Sequence, residues 1–328
     1  MLTRREMLTV SGAGLVSPGF AFVGQAFAQS NTKLTLLIIG FPAGGGGDQI
    51  ARILAERLRL RQTAPVIVEN MPGASGRLSV EFVKNAEPDG SVLLVAPEAL
   101  ITVFPHSFRK LNYDPLRDLT PLAPIVGTMY TYSIGPAVPP SVHSLLDLMR
   151  WCKGNPDLAT FATPSAGTPP HFLGLMLASA AGVEMVPVHY RGGAPALQDL
   201  LGGHVSASVN PIVDIMPFAN SGNLRILAVS GLQRSRFLPD IPTIRESGYS
   251  FDVQSWVGIF APAKVPPDTV LSLSAAIGEA VGSPEMAGQL AKLGGEPMFE
   301  SPEQFSVSIK EDMERWGPVV KASGFIAE

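Results

Sequence analysis

Residues 38–52 read IIGFPAGGGGDQIAR. Four consecutive glycines, Gly44, Gly45, Gly46 and Gly47, separate an apolar run from a segment with helical spacing, and Asp48 closes them. Glycine gives up more conformational entropy on folding than any other residue, so such a run is kept where a side chain would be in the way. The first N–H groups of a helix lack intrahelical partners and carry the positive end of its dipole. A turn without side chains lets an anion reach them. The bland alternative is a tight strand-to-helix turn with Asp48 as its cap. Spacing narrows the choice of anion. A phosphate loop requires Gly-Lys-Ser/Thr, whereas Gly47 is followed by Asp48 and Gln49, and Gln49 also fills the third glycine slot of a dinucleotide fingerprint. An acidic residue at the helix start repels polyphosphate. The loop therefore suits a small anion such as a carboxylate.

A second stretch follows the same logic. The extended segment 158–163 runs into Pro164-Ser165-Ala166-Gly167-Thr168-Pro169-Pro170-His171, with a helix after it. Proline is well placed in a first helical turn. Thr163, Ser165 and Thr168 bring hydroxyls that can donate to a carboxylate. Each loop alone reads as an ordinary turn, while two of them facing each other across a cleft favour binding. Other candidates lie nearby. His171 either packs and caps or touches a ligand. Strand alternation sets His189 and Arg191 on one face and Tyr190 on the other. Arg191 is either a bidentate clamp for a second carboxylate or a surface charge. Asn210 and Asp214 fall where a cleft loop would follow a strand, or cap a helix there.

These residues need elements to hold them. Leu34–Ile39 is a continuous apolar run, as expected of a strand buried on both faces. Asp48–Arg61 carries Ile50, Ile53, Leu54 and Leu58 on one helical face. With extended segments at 66–68 and 91–96 and a helix at 77–85, the start predicts a β-α-β-α-β unit with parallel strands. The alternation continues with helices at 141–153, 171–181 and 194–201 and strands at 158–163, 185–189, 204–209, 225–230 and 256–262. Two or three amphipathic helices, at 269–281, 285–293 and 302–322, complete the chain. Two α/β lobes joined by short crossings near 130 and 252 follow, with the first lobe built from both ends of the chain.

The sequence has 328 residues, 46% of them hydrophobic and 16% charged, with a formal net charge of −4. That composition is globular and offers no basic patch for nucleic acid. The first residues have Arg4 and Arg5, then an apolar stretch, then Ala26-Phe27-Ala28 before Gln29, the pattern of an export signal over 1–28. A twin-arginine signal and an ordinary secretory signal both fit, and either places the mature protein in the periplasm. Cys152, the only cysteine, excludes an internal disulfide and a cysteine-based metal site. No metal-ligand spacing or cofactor motif emerges.

The chain resembles the Bug family, the periplasmic solute-binding proteins of tripartite tricarboxylate transporters. The resemblance runs from about Leu34 to Trp316. It rests on Phe41-Pro-Ala-Gly-Gly with Asp48, Val68-Glu-Asn-Met-Pro-Gly-Ala74, Tyr113-Asp-Pro-Leu-Arg-Asp-Leu-Thr-Pro121, Tyr190-Arg-Gly192, Leu227-Ala-Val-Ser230 and Pro239-Asp-Ile-Pro-Thr243, in that order. It implies a two-lobed periplasmic binding-protein fold of the Venus-flytrap, type II-like kind, each lobe a mixed α/β sheet flanked by helices. The implied lobes are 29–130 with 253–328, and 131–252. The implied activity is non-catalytic capture of a small organic carboxylate, without a cofactor, by a monomer that serves a two-subunit membrane transporter component or a sensor kinase. The site carried over is Phe41, Ala43 and Gly44 to Asp48 in loop one, and Thr163, Ser165, Ala166, Gly167, Thr168 and His171 in loop two. Tyr190 and Arg191 form a further wall. Ala99–Pro105, Tyr130–Ile134 and Asn210–Met216 are expected as the loops that select the ligand. Gly46 and Gly47 stand where relatives often carry a polar side chain, which leaves loop one with backbone donors alone before Asp48. Competing readings are an exported hydrolase-like enzyme with His171 or His189 as general base, and a nucleotide binder.

Overall fold

A computed structural model describes residues 34–60, 65–219 and 222–328; the export signal expected over 1–28 lies outside them. The chain begins with β1 (Thr35–Ile39), α1 (Gly46–Arg59), β2 (Val66–Asn70), α2 (Arg77–Lys84) and β3 (Val92–Pro97). Strands β2, β1 and β3 are parallel neighbours, in keeping with the predicted unit. Two short turns, α3 (Phe104–Ser107) and α4 (Pro115–Asp118), lead into β4 (Leu119–Ile134). Next come α5 (Leu145–Gly154), β5 (Thr160–Thr163), α6 (Pro169–Ala181), β6 (Val186–His189), α7 (Gly193–Leu201), β7 (Ala207–Pro211), the single turn α8 (Ile212–Ile215) and β8 (Arg225–Val229). The chain closes with β9 (Gln254–Pro262), α9 (Pro267–Val281), α10 (Pro284–Lys292), β10 (Glu296–Pro297) and α11 (Pro302–Ser323).

One strand ties the fold together. The 16 residues of β4 span roughly 50 Å at the usual rise of an extended chain. From Leu119 to Met129 it pairs antiparallel with β9, whose other edge pairs antiparallel with β3. From Tyr130 onward β4 changes partners and runs between β7 and β8. The strand order is β2-β1-β3-β9-β4-β7-β5-β6. Sequence reading missed β4 because LTPLAPIVGTMYTYSI contains two prolines and a glycine, signals that argue against a central strand. The structure absorbs Pro121 and Pro124 as shifts of register against β9, since a residue without an N–H cannot keep the ladder. The expected loop at 130–134 is thus the far end of a strand. The expected loop at 99–105 is a wide helical turn, Ala99–Val103, running into α3. The segment 210–216 is the end of β7 and all of α8.

Alternation along β1 fills both faces of the sheet. Leu37 and Ile39 join Leu54, Ile125, Ile259 and Leu290 on one side, while Ile38 joins Leu94, Phe104, Phe260 and Phe305 on the other. Each such side chain, fully buried, contributes about 1.5–3 kcal/mol. The half of the sheet beyond Tyr130 has its own cores, around Tyr132, Phe161 and Leu173 and around Leu197, Leu200 and Ile215. Ile212 and Val213 of α8 do not follow their neighbours: they pack into the first core, against β1, α1 and β4. Cys152 is buried in the Tyr132 core, where burial pushes its thiol up to about 11, as suits an inert packed residue. Trp256 is buried against Phe260 and Phe305, and its Nε1 donates to Asp312 Oδ2 at 2.7 Å.

Candidate functional site

Helix α1 exists because Ile50, Ala51, Leu54, Ala55 and Leu58 fall on one face and bury it. Its start has no side-chain cap: Gly45 is the N-cap. Asp48, three residues in, reaches back instead. Its Oδ2 accepts from Gly44 N at 2.9 Å and from Arg52 Nε at 2.9 Å, and its Oδ1 accepts from Asn70 Nδ2 at 2.9 Å. Burial works against the charge, but the Arg52, Gly44 and Asn70 bonds outweigh it and hold the carboxyl below its ordinary range. Asp48 is therefore saturated by its own loop. Asn70 also donates to Phe41 O at 3.0 Å, which ties β2 to the same turn. Gly44 needs glycine for its backbone, with φ +86°.

Gly46 needs glycine for another reason. A β-carbon there would collide with Val213 Cγ2 and lie 2.9 Å from Asp214 Oδ1. The Gly46 N–H, first of the helix, donates to Asp214 Oδ1 at 2.7 Å. The anion found at this helix start is the protein's own. A β-carbon on Gly193 would run into Asp214 Oδ2, so the same carboxylate keeps that glycine bare too. Burial pushes the Asp214 carboxyl up to about 6, against the lowering effect of the Gly46 bond. It is half-buried, with its open side toward a cavity.

That cavity holds about 120 Å³. It sits beyond the carboxyl ends of β1, β3 and β7 and against Thr128 and Tyr130 of β4 and Ser255 and Val257 of β9, the usual place for a ligand in an open α/β sheet. Three helix starts line it: Gly45, Gly46 and Gly47 of α1, Thr168, Pro169 and Pro170 of α6, and Gly192, Gly193, Ala194 and Pro195 of α7. Phe41, Pro42, Ala43 and Val213 fill much of the remaining wall. Arg191 and Asp214 are the only charged side chains lining it among the described residues. An adjoining vestibule of about 560 Å³ shares Phe41, Pro42, Pro164, Ser165, Arg191 and Gly192 with it and adds Tyr190 and Gly73 to Gly76. Arg191, exposed, marks the junction.

Loop two is held by side chains. Thr163 Oγ1 and Thr168 Oγ1 both donate to Ser165 O, at 3.0 and 2.8 Å. Gly167, with φ +72°, donates its N–H to His171 Nδ1 at 3.3 Å and accepts from Ser107 Oγ at 3.1 Å. His171 is 2% exposed and packs among Phe172, His189 and Phe325. Burial, with His189 beside it, pushes its pKa down to about 4, so the ring is neutral at pH 7. Of the residues singled out in the sequence, Phe41, Ala43, Gly45, Gly46, Gly47, Ser165, Thr168, Arg191 and Asp214 line the cavity, and Tyr190 lines only the vestibule, where its hydroxyl donates to Asp199 Oδ2 at 2.6 Å. Gly44, Asp48, Thr163, Ala166, Gly167, His171 and Asn210 fall outside both linings. Asn210, fully buried, donates to Ser208 Oγ and accepts from Thr131 Oγ1 on its carbonyl. His189 also falls outside the lining; its Nδ1 sits 3.1 Å from Thr163 Oγ1.

Sequence reasoning missed two parts of the wall. The start of α7 carried a signal, Gly192-Gly193 ahead of a helical pattern, in the same grammar as loop one. The far wall was named in part, since Tyr130 opens the expected segment 130–134, but its partners Ser255 and Glu98 carried no signal. Tyr130 Oη donates to Ser255 Oγ at 2.9 Å and approaches Glu98 Oε1 at 3.4 Å, and Glu98 is 1% exposed. Burial pushes that carboxyl up to about 8, which leaves it protonated and neutral at pH 7.

A mixed α/β sheet with a ligand-sized cavity at the change of partners along β4 is the two-lobed fold of periplasmic binding proteins. By sequence the chain belongs to the tripartite tricarboxylate transporter receptor family, TctC, whose family model matches residues 50–325. Protein BugT of Bordetella pertussis is 32% identical over 323 residues, which cover 97% of this chain and 98% of BugT. Among solved structures, Rpa4515 of R. palustris with adipate has a TM-score of 0.87 at 28% identity, covering 90% of this chain and 99% of that one. The periplasmic binding protein BugD has a TM-score of 0.83 at 30% identity, with 90% and 98% covered. MatC of Rhodopseudomonas palustris with bound malate has 0.81 at 28%, with 88% and 98% covered. No described helix is long and apolar enough to cross a membrane.

Proposed function

We propose that this protein captures a small organic carboxylate in the periplasm and presents it to the membrane component of a tripartite tricarboxylate-type transporter or to a sensor kinase. The observation that carries the reading is the convergence of three helix N-termini on one cavity. The N–H groups of Gly47 and Ala194 have no acceptor within their own helices, and their dipoles favour an anion. The Ser165 hydroxyl of loop two completes the carboxylate site, Thr168 holds that loop through its bond to Ser165 O, and Arg191 stands at the entrance to draw the ligand in. The lobes are 29–130 with 253–328, and 131–252, which the change of partners along β4 at Tyr130 supports. Closure between them traps the ligand without turnover, and the protein acts as a monomer. Its relatives' adipate and malate complexes support the carboxylate class.

Native mass spectrometry of the purified protein, followed by a thermal-shift screen of mono-, di- and tricarboxylates and aromatic acids, tests the reading. At least one class is expected to raise the unfolding temperature in a saturable way and to be recovered unchanged. Stabilisation by no carboxylate, or consumption of the ligand, overturns it.

A further inference from the structure

We infer that the site is built for a ligand with a single negative charge, a monocarboxylate whose body is apolar or ends in a neutral polar group, and that Asp214 is the residue that turns dicarboxylates away. The inference rests on the carboxylate reading above and narrows it. A dicarboxylate needs two places for negative charge. One helix start is already occupied: the first N–H of α1 is bonded to Asp214 Oδ1 at 2.7 Å, and Oδ2 of the same carboxylate lies over Gly193 at the start of α7. Both glycines leave room for this internal anion and for nothing larger.

Asp214 lines the cavity and not the vestibule, whereas Arg191 lines both. The two charges are therefore separated, with the exposed Arg191 where the cavities join and the half-buried Asp214 in the smaller one. The first carboxylate takes the Gly47 and Ala194 N–H groups and loop two, with Arg191 where the two cavities join. A second one, carried inward, would meet Asp214 with no cation to offset it, in a site where like charges are weakly screened. With the Gly47 and Ala194 N–H groups taken by the first carboxylate, the rest of the inner wall supplies no cation. It is Ile50, Val213 and Val257 on one side and the Thr128 hydroxyl and the Tyr130–Ser255 hydrogen bond on the other, backed by the buried acid Glu98. Those hydroxyls suit a neutral oxygen or an apolar tail. The 120 Å³ of space is close to that of an engineered cavity that takes benzene, at roughly 150 Å³, so the inner part of the ligand is small. Specificity of this kind comes from a repulsive element against the wrong ligand as much as from contacts to the right one.

The test uses the intact mature protein and matched acids that differ only at the far end: butyrate, succinate and 4-aminobutyrate, and hexanoate, adipate and 6-aminohexanoate, with affinities from calorimetry. The wild-type protein is expected to bind the monoacid of a set at least tenfold more tightly than its diacid. Asp214→Asn, checked for folding by circular dichroism, is expected to narrow that gap at least fivefold, chiefly by strengthening diacid binding. Diacids bound as tightly as monoacids by the wild type overturn the inference without any variant. So does an unchanged gap in folded Asp214→Asn, or tighter binding of the amino acids, which would make Asp214 a cation acceptor. Binding of no carboxylate of either class is a different result: it removes the underlying reading of the site.

Discussion

Two loops open helices onto the same cavity, and they are built in opposite ways. Loop one, Gly44 to Asp48, has no side chain before its aspartate; Asp48 folds back on Gly44 N, and Val213 and Asp214 press on Gly46 from a distant segment. Loop two, Thr163 to His171, is shaped from within, by two threonine hydroxyls on one carbonyl and a neutral histidine holding a glycine N–H. The first can be tuned by a distant segment of the chain. The second is a frame held mainly by its own residues, with Ser107 Oγ donating to Gly167 O from 60 residues away. A site with one part of each kind can keep a common carboxylate grip while changing what it accepts beyond it.

The largest effect expected from breaking this contrast is at Gly46. Gly46→Ala puts a methyl group into Val213 and Asp214, and overpacking of that kind costs about 1–3 kcal/mol. Thermal unfolding should fall accordingly, and the carboxylate-induced shift should disappear. Thr168→Val comes next. It removes one of two donors to Ser165 O, worth about 1 kcal/mol, and should weaken ligand binding severalfold while leaving the rest of the fold in place, as read by calorimetry and circular dichroism.

A third measurement separates the two carboxylates at the start of α1 by their opposite signs. The Asp48 carboxyl is held low in the folded state, so its stabilisation is present above its unfolded pKa and is lost as pH falls through the folded value. The Asp214 carboxyl is raised to about 6, so its contribution is full below its unfolded pKa and is lost as pH rises through about 6. The pH-stability curve of Asp48→Asn should be flatter on the acid side, below pH 4. That of Asp214→Asn should differ from wild type between pH 4 and 7, losing the fall in stability that Asp214 ionisation causes. If both variants change the same limb of the curve, the contrast is wrong. The smallest effect is expected at Gly45→Ala. Its β-carbon would meet only Pro42 O, at 3.7 Å, so stability and ligand affinity should stay within a factor of about two of wild type. A large loss there would mean that bareness of the loop, not its fit to α8, is what binding needs.

The legible part of this molecule was local. The alternation of apolar runs and helical faces gave most strands and helices to within a few residues, because each such segment must bury a face of fixed period. Strand β4 was not legible, since its prolines read as breakers until β9 is present to absorb the slips in register. Loop one was recognised as an anion-ready helix start, but Asp48 and Asp214 could not be told apart in role. Asp48 is bound by neighbours 4 and 22 residues away, whereas Asp214 meets Gly46 across 168 residues. The Tyr130–Ser255 pair spans 125 residues in the same way.

By itself, then, the sequence determined the α/β class, the family resemblance and the two glycine- and hydroxyl-bearing loops, because those depend on periodicity and on residue types within a turn of one another. Only the tertiary structure decided that a third helix start joins them, that histidines 171 and 189 fall outside the cavity lining, and that the anion seated on α1 belongs to the protein. Those outcomes depend on which distant segments β4 brings side by side, and no local pattern encodes the partner that fills a glycine's empty space.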